Sequence, residues 1–221
     1  MRMPPEIDLY CERVTAWVFD EPLGLISNVA FLIAAWILYS QPKGQNRSLI
    51  LIGLLTAIGL GSAAFHAFAT RLTLWMDVIP IQLFILSAIW LLYHKSLHWP
   101  RWGAALALVV FLGLSAAVPR GLLQGSASYI PAWFFLATAA FLHTPGPGRT
   151  ALVNATALFP ISLTFRTLDL PLCGAIPIGT HFMWHLCNAL VLYWVVRATQ
   201  FGAMELGDPQ KPTYTHEGTK E

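Results

Sequence analysis

Seven long runs of apolar residues follow one another along the chain, with short polar connections between them. A transmembrane helix needs about 20 predominantly apolar residues, and most of the runs approach that length. The runs are Leu23–Ser40, Ser48–Phe68, Leu74–Tyr93, Trp102–Val118, Tyr129–His143, Ala151–Leu168 and Ile178–Arg197. The connections are too short for a second folded domain. The pattern therefore predicts an all-α membrane protein, a seven-transmembrane-helix bundle.

Composition supports this class. Of the 221 residues, 56% are hydrophobic and 11% are charged, whereas a soluble domain carries about 25% charged residues. The net charge of +2 is too small to indicate a nucleic-acid partner. Membrane lipids are the partners that the composition predicts.

The basic residues of the connections predict the orientation, because Lys and Arg favour the cytoplasmic side. With seven spans, the side of the C-terminus collects Lys43, Arg47, Lys95, Arg101, Arg149 and Arg197, whereas acidic residues dilute the arginines of the other side. We therefore predict an outside N-terminus and a cytoplasmic C-terminus. The chain divides into an acidic extracytoplasmic segment over residues 1–22, a transmembrane domain over 23–198 and a disordered cytoplasmic tail over 199–221.

Three histidines and one aspartate lie inside these apolar runs, where ionisable groups are costly and usually functional. His181 and His185 are one helical turn apart, the spacing with which one helix face offers two ligands to a metal. In the predicted topology His66 and Asp77 lie at the same membrane depth as this pair. Ser62 lies one turn from His66 on the same face. Three imidazoles, an open position and a nearby carboxylate form a usual arrangement for catalytic zinc.

Simpler interpretations exist for each of these residues. A single buried histidine is more often a hydrogen-bonded structural residue than a ligand, and Ser62 lies in a stretch of small residues that commonly packs helices together. Arg166 and Asp169, three residues apart, would most simply form an ion pair. The convergence of three histidines and Asp77 favours a metal site over these alternatives.

The same residues resemble the alkaline ceramidase family, which belongs to a superfamily of seven-helix membrane hydrolases that includes the adiponectin receptors. The resemblance covers Asp8 to about Arg197, and its motifs occur in order. They are Tyr10-Cys11-Glu12, Glu21-Pro22-Leu23-Gly24-Leu25-Ile26-Ser27-Asn28, Ser62-Ala63-Ala64-Phe65-His66, Asp77 and Gly179-Thr180-His181-Phe182-Met183-Trp184-His185. The short connections are similar to those of the bacterial branch.

The resemblance implies an enzyme, a hydrolase acting on carbon–nitrogen bonds in linear amides. It implies zinc held by His66, His181 and His185, with Ser62 and Asp77 next to the water at the metal. The substrate would be a ceramide-like lipid amide, and the products a sphingoid base and a fatty acid. The expected location is the bacterial inner membrane, with the active site near the periplasmic face.

Two further features are implied by the resemblance. Some members bind calcium through acidic residues of the N-terminal segment, and Glu12 and Glu21 fit that pattern. Asp8 is displaced by one position, and Val14 stands where the family has asparagine, so an acidic, solvated N-terminal face is an equal alternative. A disulfide between these regions of related enzymes implies a Cys11–Cys173 bond, which the predicted topology permits because both cysteines lie on the non-cytoplasmic side.

Two alternatives to a ceramidase stay open. One is a hydrolase of a different lipid amide or ester. The other is a seven-helix lipid receptor or sensor with structural zinc, although a structural site is normally closed by four protein ligands.

Overall fold

A computed structural model describes residues 7–15, 18–41, 48–119 and 121–204, and within these ranges the chain is helical and contains no strand. The α-helices are α1 (Pro22–Ser27), α2 (Val29–Tyr39), α3 (Leu49–Phe68), α4 (Arg71–Trp90), α5 (Arg101–Ala117), α6 (Ile130–Leu142), α7 (Pro147–Leu168) and α8 (His181–Met204). A π-helical turn over Leu91–Ser96 extends α4, and 3-10 turns over Leu122–Tyr129 and Leu170–Leu172 precede α6 and follow α7.

Several of these helices have the length and apolar composition of spans in a multi-pass membrane protein. In the described part of the chain, five helical stretches are long and apolar enough to cross a membrane: Pro22–Tyr39, Leu49–Phe68, Arg71–Ser96, Leu122–Leu142 and Pro147–Leu168. Helix α5 is apolar but has only 17 residues. Helix α8 has 24 residues, but its two histidines, Asn188 and Arg197 make it more polar. All seven apolar runs coincide with helical stretches, five of which have the length and composition of a span.

Two predicted boundaries differ from the structure. The first run is divided at Asn28, whose side-chain amide donates to the carbonyl of Gly24 at 2.7 Å. At the other end, α8 continues to Met204 and therefore extends beyond the predicted domain end at residue 198. The remainder of the predicted tail, residues 205–221, lies outside the described residues.

A tight hairpin joins α3 to α4. Ala69 ends α3 in the left-handed conformation, with φ of 49°. Thr70 then caps α4 through reciprocal hydrogen bonds with Thr73. Farther along the hairpin, Gly61 lies against the backbone carbonyl of Met76, and any side chain there would collide with it. The two helices can therefore pack closely enough to place residues near the end of α3 beside the start of α4.

The two ends of the bundle differ in composition. We call the end that contains His66, Asp77 and His181 the site end, and the other the opposite end. The hydrophobic core extends away from the site end and is built from buried leucine, alanine, valine, isoleucine and phenylalanine side chains, among them Leu38, Leu51, Leu55, Phe111, Leu152 and Val196. At the site end, buried charged and polar side chains replace this apolar packing.

Candidate metal centre

Three histidines meet at the site end. His66 comes from the last turn of α3, and His181 and His185 come from the first two turns of α8. Their exposed fractions are 0%, 4% and 2%. One ring nitrogen of each lies within 4.8 Å of the others, and among the described residues this is the one group of three or more metal-binding side chains. The structure thus brings together the three residues predicted as ligands.

Two of the imidazoles are oriented by partners on the side away from the cluster. The Nδ1 atom of His66 bonds the carboxylate of Glu21, and the Nδ1 atom of His185 lies 2.7 Å from the hydroxyl of Ser27. The remaining Nε2 atoms face each other at 3.3 Å. A carboxylate or hydroxyl behind a ligating histidine fixes the ring and its tautomer, an arrangement common at metal sites. These two Nε2 atoms are therefore the ones available to a metal.

His181 gives the clearest indication that a metal fits this cluster. It is buried, yet neither of its ring nitrogens has a hydrogen-bond partner among the described residues. Leaving a buried polar atom unpaired is costly, and a metal would satisfy it. The separation of His66 and His185 also fits, because two nitrogens held by one tetrahedral zinc at about 2.0–2.1 Å lie about 3.3 Å apart. The residues present can hold a metal ion.

Asp77 and Ser62 lie beside the histidines. The Ser62 hydroxyl hydrogen-bonds the Asp77 carboxylate, and the two side chains are 4% and 9% exposed, respectively. Both line a cavity of about 70 Å³, together with His181 and His185. Asp77 therefore lines the same cavity as His181 and His185 but is not part of the histidine cluster.

An apolar cavity lies next to this one. Its volume is about 60 Å³, and it is lined mainly by aliphatic and aromatic side chains, including Phe84, Ile85, Phe135 and Val195. The two cavities share Ile58, Ile81, Tyr129 and Asn188 as walls. The polar cavity therefore adjoins the hydrophobic interior of the bundle.

The N-terminal segment covers the cluster. The ring of Tyr10 stacks on His181 with a centroid distance of 3.6 Å and on His66 at 5.2 Å. Burial raises the pKa of the Tyr10 phenol, which keeps it protonated. Next to it, Cys11 forms a disulfide with Cys173, which confirms that prediction. Aromatic stacking and a covalent bond thus hold the segment over the histidines.

Asp169 also fastens the N-terminal segment, in a role that the sequence did not reveal. Its carboxylate accepts the backbone N–H groups of Cys11 at 2.9 Å, Thr180 at 2.7 Å and His181 at 2.8 Å. Gly179, with φ of +67°, lies against the same carboxylate where a side chain would not fit. Asp169 therefore caps α8 and fixes the position of His181.

The predicted ion pair between Arg166 and Asp169 is wrong. Arg166 instead donates to the carbonyl of Gln124 at 3.0 Å and to the hydroxyl of Ser126 at 2.9 Å. Asp169 instead accepts from three backbone N–H groups, a set of partners that residue spacing along α7 does not show.

The carboxylates predicted for calcium are not gathered into one site. Asp8 is exposed. Glu12 accepts the N–H groups of Leu23 and Gly24 at 2.6 and 2.7 Å and so caps the start of α1. Glu21 binds His66 and the buried Arg13, whose Nε donates to it at 2.5 Å. In the described residues these carboxylates support the fold and the histidines.

Glu21 and Ser27 are functional candidates because each bonds a histidine of the cluster, a role that was not predicted from the sequence. Glu21 is 1% exposed, and burial raises its pKa to about 7, with the Arg13 guanidinium opposing the rise. The signal was an acidic residue directly before Pro22, the first residue of a membrane helix. Ser27 had no comparable signal, because a serine in an apolar helix usually serves packing.

A comparison of the chain with protein-family models and with curated proteins finds no match.

Proposed function

We propose that the protein is a zinc-dependent amidase of the alkaline ceramidase type, with seven membrane-spanning helices, its N-terminus outside and its C-terminus in the cytoplasm. It would hydrolyse the N-acyl bond of ceramide-like lipids to a sphingoid base, or another amine, and a free fatty acid. The observation that carries this proposal is the cluster of three buried imidazoles beside Asp77 and Ser62 in one cavity.

The proposal assigns a role to each residue. His66, His181 and His185 would hold the zinc, which when bound supplies a Lewis acid that polarises the amide carbonyl and activates water. Asp77 takes a proton from the attacking water and returns it to the departing amine nitrogen, so that a C–O bond replaces the C–N bond. Ser62 orients Asp77. The apolar cavity next to the site would receive the start of the acyl chain, with side-chain movement to admit its length.

The purified full chain, reconstituted in lipid nanodiscs with zinc, tests the proposal. It is incubated with ceramide, N-acylethanolamine, a lipid ester and N-acyl amino acids of matched chain length, and the products are identified by mass spectrometry. We expect fatty acid release from at least one amide, loss of this release after chelation, and recovery on adding zinc. Release from the ester alone would support a lipid esterase instead. Tight zinc binding with no turnover of any substrate would support a receptor with structural zinc.

A further inference from the structure

Arg166 is a cation at the mouth of the proposed site. It lies near the end of α7 and is half-buried. Its side chain lines the cavity that contains Asp77, Ser62 and His181, and it also lines a neighbouring cavity of about 340 Å³ bounded by Tyr10, Gly121, Gln124 and Leu170. Arg166 therefore stands between the reacting groups and the second cavity.

The charge of Arg166 is not neutralised by an ion pair. In the described part of the chain, no carboxylate lies within 4.0 Å of its guanidinium; the ion pairs found there join Glu21 to Arg13 and to His66. The charge of Asp77 acts on the guanidinium from beyond that distance. A half-buried cation without a direct ion pair is unfavourable in a membrane protein, and such a group usually has a functional partner.

Its protein contacts leave hydrogen-bonding capacity. The bonds to Gln124 and Ser126 both come from Nη1. The guanidinium also interacts with the Tyr10 side chain and lies 5.6 Å from the centre of the Tyr129 ring. A guanidinium carries five N–H donors in a planar fork that fits carboxylate and phosphate groups. The tyrosines hold the fork in place without using all of these donors.

The arrangement of the cavities indicates which part of a lipid would reach Arg166. The apolar cavity shares the wall residues Ile58, Ile81 and Asn188 with the cavity of the reacting groups, and its lining suits the acyl chain. The cavity beside Arg166 has Gln124 and Asp169 in its walls, and it suits the amine side of the scissile bond. If the amide carbonyl lies between the histidines and Asp77, the amine substituent passes Arg166.

We infer that Arg166, together with Tyr10, forms a subsite for an anionic group on the amine side of the lipid amide, a carboxylate such as that of an N-acyl amino acid. The inference depends on the proposed amidase function and narrows its substrate class. Ceramide has hydroxyl groups and no anion at this place, so the subsite predicts a preference for acidic lipid amides over neutral ones. A charge-assisted bidentate contact provides both affinity and geometric specificity.

Two substrates that differ only in charge test the subsite: N-lauroylglycine, which carries a carboxylate, and N-lauroylglycinamide, which is neutral and nearly the same size. We expect the wild-type protein to prefer the acid in kcat/KM by roughly 10- to 100-fold, the range expected for hydrogen bonds to a charged group. Arg166→Gln should reduce this ratio to near one, mainly through KM, and Arg166→Lys should restore part of it. Arg101→Gln, an exposed cation at the start of α5, is the matched control and should leave the ratio unchanged.

The acyl product also carries a carboxylate, so inhibition by laurate is measured in parallel. If Arg166→Gln weakens inhibition by laurate but leaves the substrate ratio unchanged, Arg166 binds the fatty acid and the inference is overturned. Equal losses for both substrates would also overturn it, since they would indicate a structural role only.

A binding measurement separates this inference from the proposed function. The affinities of N-lauroylglycine and N-lauroylglycinamide are determined by calorimetry with the Asp77→Asn protein and with Asp77→Asn/Arg166→Gln. Preferential binding of the acid that disappears with Arg166 supports the subsite even if the wild-type protein hydrolyses neither lipid. Equal binding of both lipids to Asp77→Asn would contradict the subsite whatever the activity.

Discussion

The two ends of the bundle bury polar groups in different ways. His143 at the opposite end is 5% exposed; its Nδ1 lies 3.0 Å from the carbonyl of Thr144, and its Nε2 has no partner in the described part of the chain. It stands alone. At the site end, His66 and His185 each have a partner behind the ring, and the rings converge with His181. A buried histidine becomes a candidate ligand through such convergence, since burial alone is common to both ends.

Removing two of the three clustered histidines is the most direct test of the difference between the two ends. His181→Ala/His185→Ala should reduce bound zinc from about one per chain to none and abolish turnover, because a single histidine cannot hold the ion. Elemental analysis of the purified protein measures the change. His143→Ala is the matched control and should keep its zinc. Full zinc occupancy in the double variant would show that the site lies elsewhere.

A substitution of Asp77 distinguishes the proposed proton transfer from metal binding at the site end. Asp77→Asn should keep the zinc but reduce kcat by roughly 10²- to 10⁴-fold, the contribution typical of a general base. Paired measurements of zinc content and initial rate give both quantities. Wild-type rates in this variant would remove Asp77 from the mechanism.

A substitution of Glu21 tests whether the partner behind His66 contributes to metal binding at the site end. Glu21→Gln should weaken zinc affinity by roughly 10- to 100-fold, the usual effect of removing such a partner. Competition with a calibrated chelator measures the affinity. Glu12→Gln serves as the control: its carboxylate caps α1 and contacts no histidine, so zinc affinity should stay close to that of the wild type.

Ser62 should have a smaller effect. Ser62→Ala removes one hydrogen bond to Asp77 and is expected to lower kcat by about tenfold, with little change in KM, since a hydrogen bond to a charged group contributes about 1.5–3 kcal/mol at most. Steady-state kinetics with the best substrate of the panel separates the two constants. A change confined to KM would assign Ser62 to binding instead.

The opposite end should affect stability without affecting the metal. Leu55 is fully buried in the apolar core, and Leu55→Ala should lower the free energy of unfolding by about 2–5 kcal/mol through loss of packing. Unfolding in mixed detergent micelles measures this change. Zinc content should not fall, and a parallel loss of zinc would mean that the two ends are coupled.

Helix positions could be predicted because a segment that crosses a bilayer must be continuously apolar. Within the bilayer, a helix satisfies the hydrogen bonds of all its backbone N–H and C=O groups internally. The candidate ligands could be predicted because His181 and His185 lie on one face of one helix. The partners of these ligands could not. Glu21 and Ser27 reach the histidines only through the packing of α1 against α3 and α8, and no spacing along the chain encodes that contact.

The Arg166–Asp169 error has the same origin. Residues three apart on a helix are neighbours, and this spacing favours an ion pair between them. The structure shows α7 ending at Leu168, which places Asp169 in the connection to α8. There its carboxylate meets three backbone N–H groups, whereas Arg166 turns toward Gln124. The spacing rule for helical neighbours therefore does not apply to Asp169, which lies beyond the end of α7.

The bond between Cys11 and Cys173 has a consequence for the order in which the protein is made. The two cysteines are 162 residues apart, so the N-terminal segment leaves the ribosome long before its partner. His66 and Glu21 are synthesised early, whereas Asp169, Cys173 and all of α8 come late. A nascent chain that stops before α8 therefore has one of the three histidines and nothing to fasten Tyr10 over it. The three histidines can therefore come together only after α8, which carries two of them, has been made.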